Sequence, residues 1–167
     1  RAEACELLGK LATMCDGVRC DMAMLLLNDV FQNTWGDTVG DAPEEEFWTV
    51  VIAAARAVEP GFKFMAEAYW DLELPLLDLG FDWAYDKALY DRLRHRDAAG
   101  ITKHLEVTSE ASNQLVKFTE NHDEPRANLA FPELQLQAAA VTAALLPGPL
   151  LLHEGQLEGR RIRIPVQ

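Results

Sequence analysis

Lys117 to Arg126 read KFTENHDEPR, and this stretch decides the class of fold. The apolar residues Leu115, Val116 and Phe118 around its start suit a buried strand, and Pro125 prevents that strand from continuing. Between them stands a cluster of hydrogen-bonding and ionisable side chains: Asn121, His122, Asp123 and Glu124. An apolar strand followed by a polar cluster is typical of a parallel β/α architecture, in which strands present reactive groups at their carboxyl ends.

Two other stretches follow the same design. Gly17 to Ala23 read GVRCDMA, and Phe62 to Asp71 read FKFMAEAYWD. Each brings one carboxylate, Asp21 or Glu67, to the end of a predicted strand. Because the carboxyl ends of parallel strands meet at one edge of a sheet, these two carboxylates and Asp123 predict a single site.

The composition limits the possible partners. The chain has 167 residues, of which 49% are hydrophobic, so one domain with a sizeable core is expected. Its formal net charge of -12 would repel phosphate, which argues against nucleic acid or an anionic membrane as a partner. The cysteines are odd in number and lack metal-ligand spacing, so we expect reduced, buried thiols in a cytoplasmic protein: Cys5, Cys15 and Cys20.

The predicted elements alternate between strand and helix, which favours a parallel α/β fold over an all-α or all-β fold. The expected strands are Gly17 to Asp21, Phe62 to Glu67, Phe81 to Tyr85, the stretch around Leu115 to Phe118, and Leu150 to Leu152. The expected helices are Ala2 to Met14, Glu44 to Glu59, Lys87 to Arg94, Asp97 to Leu105, and Pro132 to Leu146. Asn28 to Pro43 is rich in turn-forming residues and predicts a long loop.

The first predicted strand places Arg19 and Asp21 on the same face. If that face is buried, the guanidinium keeps the carboxylate ionised, as a nucleophile requires. A purely structural Arg–Asp pair in the core is the alternative, because ion-pair networks also occur away from active sites.

Glu67 follows five mostly apolar residues, so we expect it to be partly desolvated, which suits a general acid. The alternative is a helix N-cap for a helix beginning at Ala68. Tyr69 and Trp70 follow directly, and their flat surfaces suit stacking on a sugar ring, although core packing is the commoner use of Trp.

The histidines limit a metal-based alternative. A metal-dependent phosphohydrolase built on His122 and Asp123 would need further histidine ligands, and the chain has 4 histidines with no suitable pairing. His95 and His104 lie among charged neighbours and are assigned to a solvated surface.

Four stretches, in order, resemble motifs of the α-amylase family, glycoside hydrolase family 13. GVRCD resembles the fourth-strand motif, in which an Arg precedes the nucleophilic Asp by two positions, and AEAYW resembles the fifth-strand motif with the acid/base Glu. FTENHDEPR resembles the seventh-strand motif, and PGPLLLHEGQLEG resembles the eighth-strand segment. The resemblance implies a partial TIM-type (β/α)8 barrel, about strands 4 to 8, and a retaining mechanism on the α-glucosidic bonds of α-glucans or oligosaccharides.

The resemblance also implies a role for each site residue. Asp21 would be the nucleophile, Glu67 the acid/base, and Asp123 the group that stabilises the transition state. Substrate binding would fall to Arg19, His122, Asn121, Tyr69 and Trp70. No cofactor is implied. No calcium is expected either, because Met22 to Leu25 replace the Ala-Ala-Lys-His run that helps hold it in many members.

The departures from the family pattern suggest an incomplete barrel. The third-strand motif does not occur, and five strands are expected instead of eight. We therefore expect residues 1–167 to be the C-terminal portion of a single catalytic barrel whose partner is the missing N-terminal half. By itself the chain would then be inactive and prone to self-association.

Two alternatives stay open within the resemblance. One is an α-glucan glycosyltransferase, which shares the first half-reaction with a hydrolase. The other is a non-catalytic glucan-binding or regulatory module, which the three intact carboxylates disfavour. His153 and Glu154 stand where paired aromatic residues are common, so the substrate preference is left open.

Overall fold

The computed structural model describes residues 1–165, apart from the side chain of Asp37. The chain divides into two compact units, Arg1–Tyr85 and Asp86–Gln167. Each unit is an α/β arrangement, as the alternating sequence pattern predicts. Within the described residues, no helix has the length and apolar character needed to cross a membrane.

The first unit contains a three-stranded parallel sheet with strands in the order β1-β2-β3. Its strands are β1 (Gly17–Cys20), β2 (Lys63–Ala66) and β3 (Trp83–Tyr85). Its α-helices are α1 (Ala2–Ala12), α2 (Asn28–Trp35), α3 (Phe47–Val58) and α4 (Glu73–Asp78). Short 3₁₀ helices cover Ala23–Leu26 and Gly36–Thr38. The register sets Cys20 beside Ala66 and Ala66 beside Ala84, so the strands end close together.

The core of the first unit is built from one face of a strand and one stripe of a helix. Strand β2 buries alternate residues, Phe64 and Ala66, together with the preceding Phe62. Helix α3 buries one stripe at helical spacing, consisting of Trp48, Val51, Ile52 and Ala55. The Trp48 ring meets Phe81 edge-on at 4.9 Å between centroids, which joins α3 to the segment before β3.

Gly17 allows β1 and β2 to lie close together. A Cβ atom at this position would lie 2.6 Å from the carbonyl oxygen of Lys63, which is backbone and cannot move aside cheaply. The start of β1 therefore requires a residue without a side chain.

Asp82, just before β3, links helix α3 to strand β2 at the end of the sheet where β2 begins. Its carboxylate lies 2.7 Å from Arg56 Nη2 and 2.9 Å from Lys63 Nζ, and it accepts the N–H of Phe64 at 2.9 Å. Burial alone would raise the pKa of Asp82, but the Phe64 N–H and the two cations together lower it. Asp82 therefore stabilises the packing of α3 against β2 in its ionised form.

The second unit consists mainly of helices around one short strand. Its helices are α5 (Lys87–His95), α6 (Ala98–Val107), α7 (Ala127–Ala130) and α8 (Glu133–Leu145), and its strand is β4 (Leu115–Val116). Asp86 and Asp97 cap α5 and α6, because their carboxylates accept the N–H groups of Leu89 and Gly100. In its core Tyr90 stacks on Phe118, with ring centroids 5.3 Å apart.

A buried lysine joins β4 to the segment after α8. Lys117 Nζ donates to the carbonyl oxygens of Ser112 and Pro147, each at 2.5 Å. Burial lowers the pKa of Lys117, although the nearby charge of Asp86 opposes that shift. The Lys117 side chain is therefore part of the core and not a solvated cation.

The predicted final strand is shorter than expected. Only Leu150 forms a parallel bridge, with Lys117. The N–H of Lys117 donates to Pro149 O, and the N–H of Leu151 donates to Lys117 O, both at 2.9 Å. Pro149 has no N–H of its own, and Leu152 continues without ladder partners in the described residues, so the pairing ends after one bridge.

The predicted long loop is wrong in its first half. Asn28 to Trp35 form helix α2, in which the Phe31 and Trp35 rings lie one turn apart with centroids 6.3 Å from each other. The N–H of Asn28 donates to Glu46 Oε2 at 3.0 Å, so a carboxylate distant in sequence caps this helix. The turn-forming residues of the segment had led to the prediction of a loop.

Two further expectations need correction. His104 is not on a solvated surface, because its side chain is buried and its Nε2 lies 2.8 Å from Asp86 Oδ1, whereas His95 is exposed as predicted. The cysteines are unpaired, but Cys15 is exposed, and Cys5 and Cys20 are only partly buried. Burial raises the pKa of Cys20 to about 12, so that thiol stays protonated at neutral pH.

Candidate active site

Arg19 brings the two carboxylates of the first unit together at the ends of β1 and β2. Its Nη1 donates to Asp21 Oδ1, and its Nη2 forms an ion pair with Glu67 Oε1 at 2.7 Å. The Nη2 contact is electrostatic, since it lacks hydrogen-bond geometry. One guanidinium therefore contacts two of the three residues for which the sequence predicted catalytic roles.

The two carboxylates differ sharply in their exposure to solvent. The Asp21 side chain is 79% exposed, whereas that of Glu67 is 3% exposed. Asp21 does not lie on a buried face, because β1 ends at Cys20 and Asp21 already projects beyond the sheet. The expected desolvation of Glu67 is seen in the structure.

Glu67 is anchored through both of its oxygens. Oε2 accepts the backbone N–H of Met22 at 2.7 Å, while Oε1 faces Arg19 and accepts a long hydrogen bond of 3.4 Å from the Tyr69 hydroxyl. No helix begins at Ala68, so the N-cap alternative for Glu67 is wrong.

The environment of Arg19 favours its charged form. Burial would lower the pKa of the Arg19 guanidinium, but the hydrogen bond to Asp21 and the charge of Glu67 outweigh burial and raise that pKa above its ordinary value. The Arg19 guanidinium also lies over the Tyr85 ring, 5.7 Å from its centroid. Tyr85 is the last residue of β3, so all three strands of the first unit contribute to this cluster.

The two aromatic residues after Glu67 behave differently. Tyr69 is partly buried and contacts Glu67, whereas Trp70 is exposed. Trp70 and Asp71 both have positive φ angles, of 63° and 58°. This strained turn directs the chain away from β2 and leaves the Trp70 ring open to solvent.

The second unit holds the remaining predicted site residues. His122 Nε2 lies 3.0 Å from Asp123 Oδ2, and both side chains are partly exposed. Asn121 is buried, and its Oδ1 accepts the N–H groups of Asp123 and Glu124, each at 2.9 Å. Asn121 thus fixes the turn that presents His122 and Asp123.

A buried ion pair stands next to this turn and was missed from the sequence. Arg126 Nη1 donates to Glu120 Oε1 at 2.6 Å and to the carbonyl oxygen of Glu154 at 2.7 Å. His153 Nδ1 lies 3.0 Å from Arg126 Nη1 and 3.2 Å from Glu120 Oε1. The sequence does show the opposite charges of Glu120 and Arg126 six residues apart, but this spacing alone does not predict that the pair is buried.

The side chains of the described residues do not form a metal centre. Among residues 1–165, no group of three or more His, Cys, Asp or Glu side chains is arranged to hold a metal ion. The cluster around Arg19 consists of carboxylates, one guanidinium and aromatic rings, and carboxylates can act as acids, bases or nucleophiles.

The comparison of sequences finds similarity to an α-amylase. No family model matches the chain. The sequence is 27% identical to the α-amylase MalA of Haloarcula japonica, in a match that covers 98% of this chain and 23% of that protein. The chain thus spans about a quarter of the length of the curated relative it matches.

The comparison of structures finds α-amylases and related enzymes. An α-amylase from Anoxybacillus matches with a TM-score of 0.70 and 18% identity, covering 96% of this chain and 37% of that one. An α-amylase from Lactobacillus plantarum matches with a TM-score of 0.67 and 18% identity, covering 95% and 39%. A debranching enzyme from Nostoc punctiforme gives a TM-score of 0.68 and 18% identity, covering 93% and 36%. These matches confirm the α/β fold as part of a TIM-type barrel.

Proposed function

We propose that this chain, which resembles part of an α-amylase-family catalytic domain over nearly its whole length, supplies the catalytic carboxylates of an enzyme that cleaves α-glucosidic bonds. The observation that carries the proposal is the contact of one guanidinium, Arg19, with an exposed Asp21 and a buried Glu67. Two carboxyl groups in such different surroundings can take different roles in one reaction.

Asp21 is the proposed nucleophile. Its carboxylate is exposed, so a substrate can reach it, and Arg19 holds one of its oxygens by a charge-assisted hydrogen bond. Asp21 then forms a bond to the anomeric carbon as the bond from that carbon to the leaving oxygen breaks. The electron pair of the broken bond goes to the leaving oxygen.

Glu67 is the proposed acid/base. It gives its proton to the leaving oxygen in the first step, and in the second step it accepts a proton from the incoming water, which attacks the anomeric carbon and releases Asp21. A retaining reaction of this kind needs the two carboxyl groups about 5 to 5.5 Å apart. The shared contact with Arg19 supports such closeness.

Four further residues are proposed to bind the sugar. His122 and Asp123 are assigned to sugar hydroxyls, on their resemblance to the family's seventh-strand motif and on their partly exposed side chains, which lie 3.0 Å apart. Asp123 would strengthen its hydrogen bond as positive charge develops on the ring in the transition state. Trp70 offers an exposed ring for stacking and Tyr69 a hydroxyl beside Glu67.

Asn121 is assigned a supporting role in place of direct substrate binding. Its Oδ1 is occupied by two backbone N–H groups, and its side chain is buried. The proposal is therefore that Asn121 holds the turn, and that His122 and Asp123 make the contacts with the sugar.

The test is mechanism-based labelling of the intact protein with a fluorinated α-glucosyl fluoride, followed by mass mapping of peptides. The fluorine slows breakdown of the covalent intermediate, so one adduct is expected on the peptide that contains Asp21. Asp21→Asn should remove the adduct without loss of folding, because Asp21 is an exposed side chain.

Two results would contradict the proposal. An adduct on another carboxylate would remove Asp21 from its role as nucleophile. The absence of any adduct on a protein that is folded by circular dichroism would argue for a non-catalytic glucan-binding module.

A further inference from the structure

The junction between β1 and the following turn contains one residue more than a regular parallel ladder allows. The N–H of Glu67 donates to Cys20 O, as a regular ladder requires, and the carbonyl of Glu67 would then accept the N–H of Met22. Instead it accepts the N–H of Ala23 at 3.0 Å. The chain bulges by one residue, and the N–H of Met22 has no place in the ladder.

The Met22 N–H, which the bulge removes from the ladder, donates instead to the side chain of Glu67. Met22 has φ 43° and ψ 47°, the left-handed conformation that a residue with a side chain rarely adopts. In this conformation its N–H points to Glu67 Oε2, which it reaches at 2.7 Å. Strain of this kind persists only where the surrounding structure enforces it, and it is often found at functional sites.

The contact completes the anchoring of a buried carboxyl group. Oε1 of Glu67 faces Arg19 and Tyr69, and Oε2 is held by Met22. A backbone donor has no rotamers, so it fixes the position of Oε2 more firmly than a side chain would. An acid that must protonate a leaving oxygen depends on such placement, because a shift of about 1 Å can cost on the order of 100-fold in rate.

We infer that Met22 is a positioning residue whose strained backbone N–H, and not its side chain, aims Glu67 at the leaving oxygen. The inference rests on the proposed function, because it assigns Glu67 the transfer of a proton to the oxygen of the breaking α-glucosidic bond. The Met22 N–H donates no proton to the substrate and stays bonded to Glu67 throughout.

The inference predicts which substitutions at position 22 are tolerated. Valine is branched at Cβ and disfavours the left-handed conformation, so Met22→Val should turn the N–H away from Glu67. Glycine and asparagine adopt that conformation readily, so Met22→Gly and Met22→Asn should keep the N–H in place although both remove the methionine side chain.

The readout compares two substrates of the intact protein by kcat/KM, which reports the first chemical step. An α-linked maltooligosaccharide has a poor leaving group and needs the acid, whereas 2,4-dinitrophenyl α-glucoside has a leaving group that departs without protonation. Met22→Val should lower kcat/KM for the oligosaccharide by about 10- to 100-fold and change the value for the aryl glucoside by less than about threefold. Met22→Gly and Met22→Asn should restore the wild-type ratio of the two values.

Several outcomes would overturn the inference. Equal losses on both substrates in Met22→Val would mean that the substitution disturbs Asp21 or binding, and an unchanged oligosaccharide value would mean that the N–H is dispensable. A loss in Met22→Gly and Met22→Asn as large as that in Met22→Val would assign the role to the side chain. Met14→Val is the matched control, because Met14 is an exposed methionine outside the cluster.

A second measurement keeps the inference testable if Met22→Val does not fold. In protein labelled with ¹⁵N-methionine, Glu67→Gln should shift the amide proton of Met22 upfield by more than those of Met14, Met24 and Met65, because a carboxylate acceptor is replaced by a neutral amide. An unmoved Met22 amide would overturn the contact. If the wild-type protein turns over neither substrate, the proposed function fails and the inference fails with it, whereas the pattern of substitutions can overturn the inference alone.

Discussion

Arg19 and Arg126 each contact carboxylates, yet the two clusters differ in burial. Arg126 and Glu120 are both buried, with side-chain exposures of 1% and 2%, and the Arg126 guanidinium also donates to the carbonyl oxygens of Glu154 and Ile162. Arg19 is only partly buried, and one of its two carboxylates is exposed. The Arg126 cluster therefore connects three segments of the second unit, whereas the Arg19 cluster leaves one carboxylate accessible to a ligand.

The difference shows why an ion pair near a strand end is weak evidence for catalysis by itself. Both pairs stand at or after the end of a strand, partly buried in β1 and buried in β4, and both involve a motif that resembles the α-amylase family. What separates them is the exposure of one carboxylate and the asymmetry between its surroundings and those of its neighbour.

Breaking the buried pair should have the largest effect on stability. Arg126→Met keeps much of the packing volume but removes the guanidinium from the buried Glu120 carboxylate, which then keeps only His153 and the N–H of Ala127 as partners, so the free energy of unfolding should fall by about 3 to 5 kcal/mol. Denaturant unfolding of the intact protein, followed by circular dichroism, measures this change. Arg161→Met is the control, because Arg161 is exposed and should change stability by less than about 0.5 kcal/mol.

A double variant sharpens the interpretation. Replacing both partners, as in Glu120→Leu with Arg126→Met, removes the buried carboxylate as well and should recover part of the lost stability. If the double variant is less stable than Arg126→Met alone, the Arg126 cluster acts through its remaining hydrogen bonds and not through charge pairing. The comparison with the Arg19 cluster would then need revision.

Substituting Gly17, at the start of the strand that carries Arg19, should lower the free energy of unfolding by a smaller amount. Gly17→Ala places a methyl group 2.6 Å from Lys63 O and should force β1 and β2 apart, at a cost of about 1 to 3 kcal/mol. Gly9→Ala is the matched control in helix α1, where the nearest atom would be Val58 Cγ2 at 3.5 Å. That substitution should be neutral or stabilising, since alanine has a higher helix propensity than glycine.

The same Gly17 variant can be followed at the level of the backbone. Hydrogen exchange should become faster for the amides of β1 and β2 in Gly17→Ala and stay unchanged in β4. Equal protection of β1 in Gly17→Ala and in the wild type would mean that the sheet adjusts without loss. In that case the close approach of β1 and β2 at Gly17 would not require a residue without a side chain.

The smallest expected effect is a dependence of stability on pH that arises from Asp82. Because its folded-state pKa is lowered, Asp82 contributes stability that is present above its ordinary pKa of 3.8 and is lost as pH falls through the folded value. Asp82→Asn should therefore cost about 1 kcal/mol near neutral pH and less below pH ~4. Thermal unfolding at both pH values measures the difference.

Lys117, in the second unit, gives a dependence on pH of the same sign as Asp82 but in the alkaline range. Its folded-state pKa is lowered from 10.5, so between the folded value and 10.5 the unfolded chain binds more protons and stability rises with pH. Lys117→Met should remove that rise at alkaline pH and leave the dependence of stability on pH in the acid range unchanged.

The Asp82 prediction has its own contradicting outcome. If the stability of Asp82→Asn rises through the acid range as steeply as that of the wild type, Asp82 is not the cause of the pH dependence there.

Much of the fold was predictable because local patterns and burial agree in most elements. The burial of alternate residues in β2 is confirmed. The apolar stripe predicted for α3, with Phe47, Val50 and Val58 on it, is wrong in its position, because the helix buries Trp48 and Ile52 and leaves Val58 exposed. Helix α2 was not predicted, because its polar residues resemble a loop and its cap is Glu46, which is distant in sequence. His104 was assigned to the surface for the same reason, since its partner Asp86 lies on another element.

The residue types of the site and their order along the chain can be read from the amino-acid sequence without the structure. Carboxylates after apolar strands, and the Arg two residues before Asp21, follow from strand periodicity and need no knowledge of distant contacts. The tertiary structure alone decided that Asp21 is exposed and Glu67 buried, that Arg126 is structural, and that Met22 donates its N–H to Glu67. These features depend on how strands end and where the ladder bulges, and such geometry arises only when segments distant in sequence pack together.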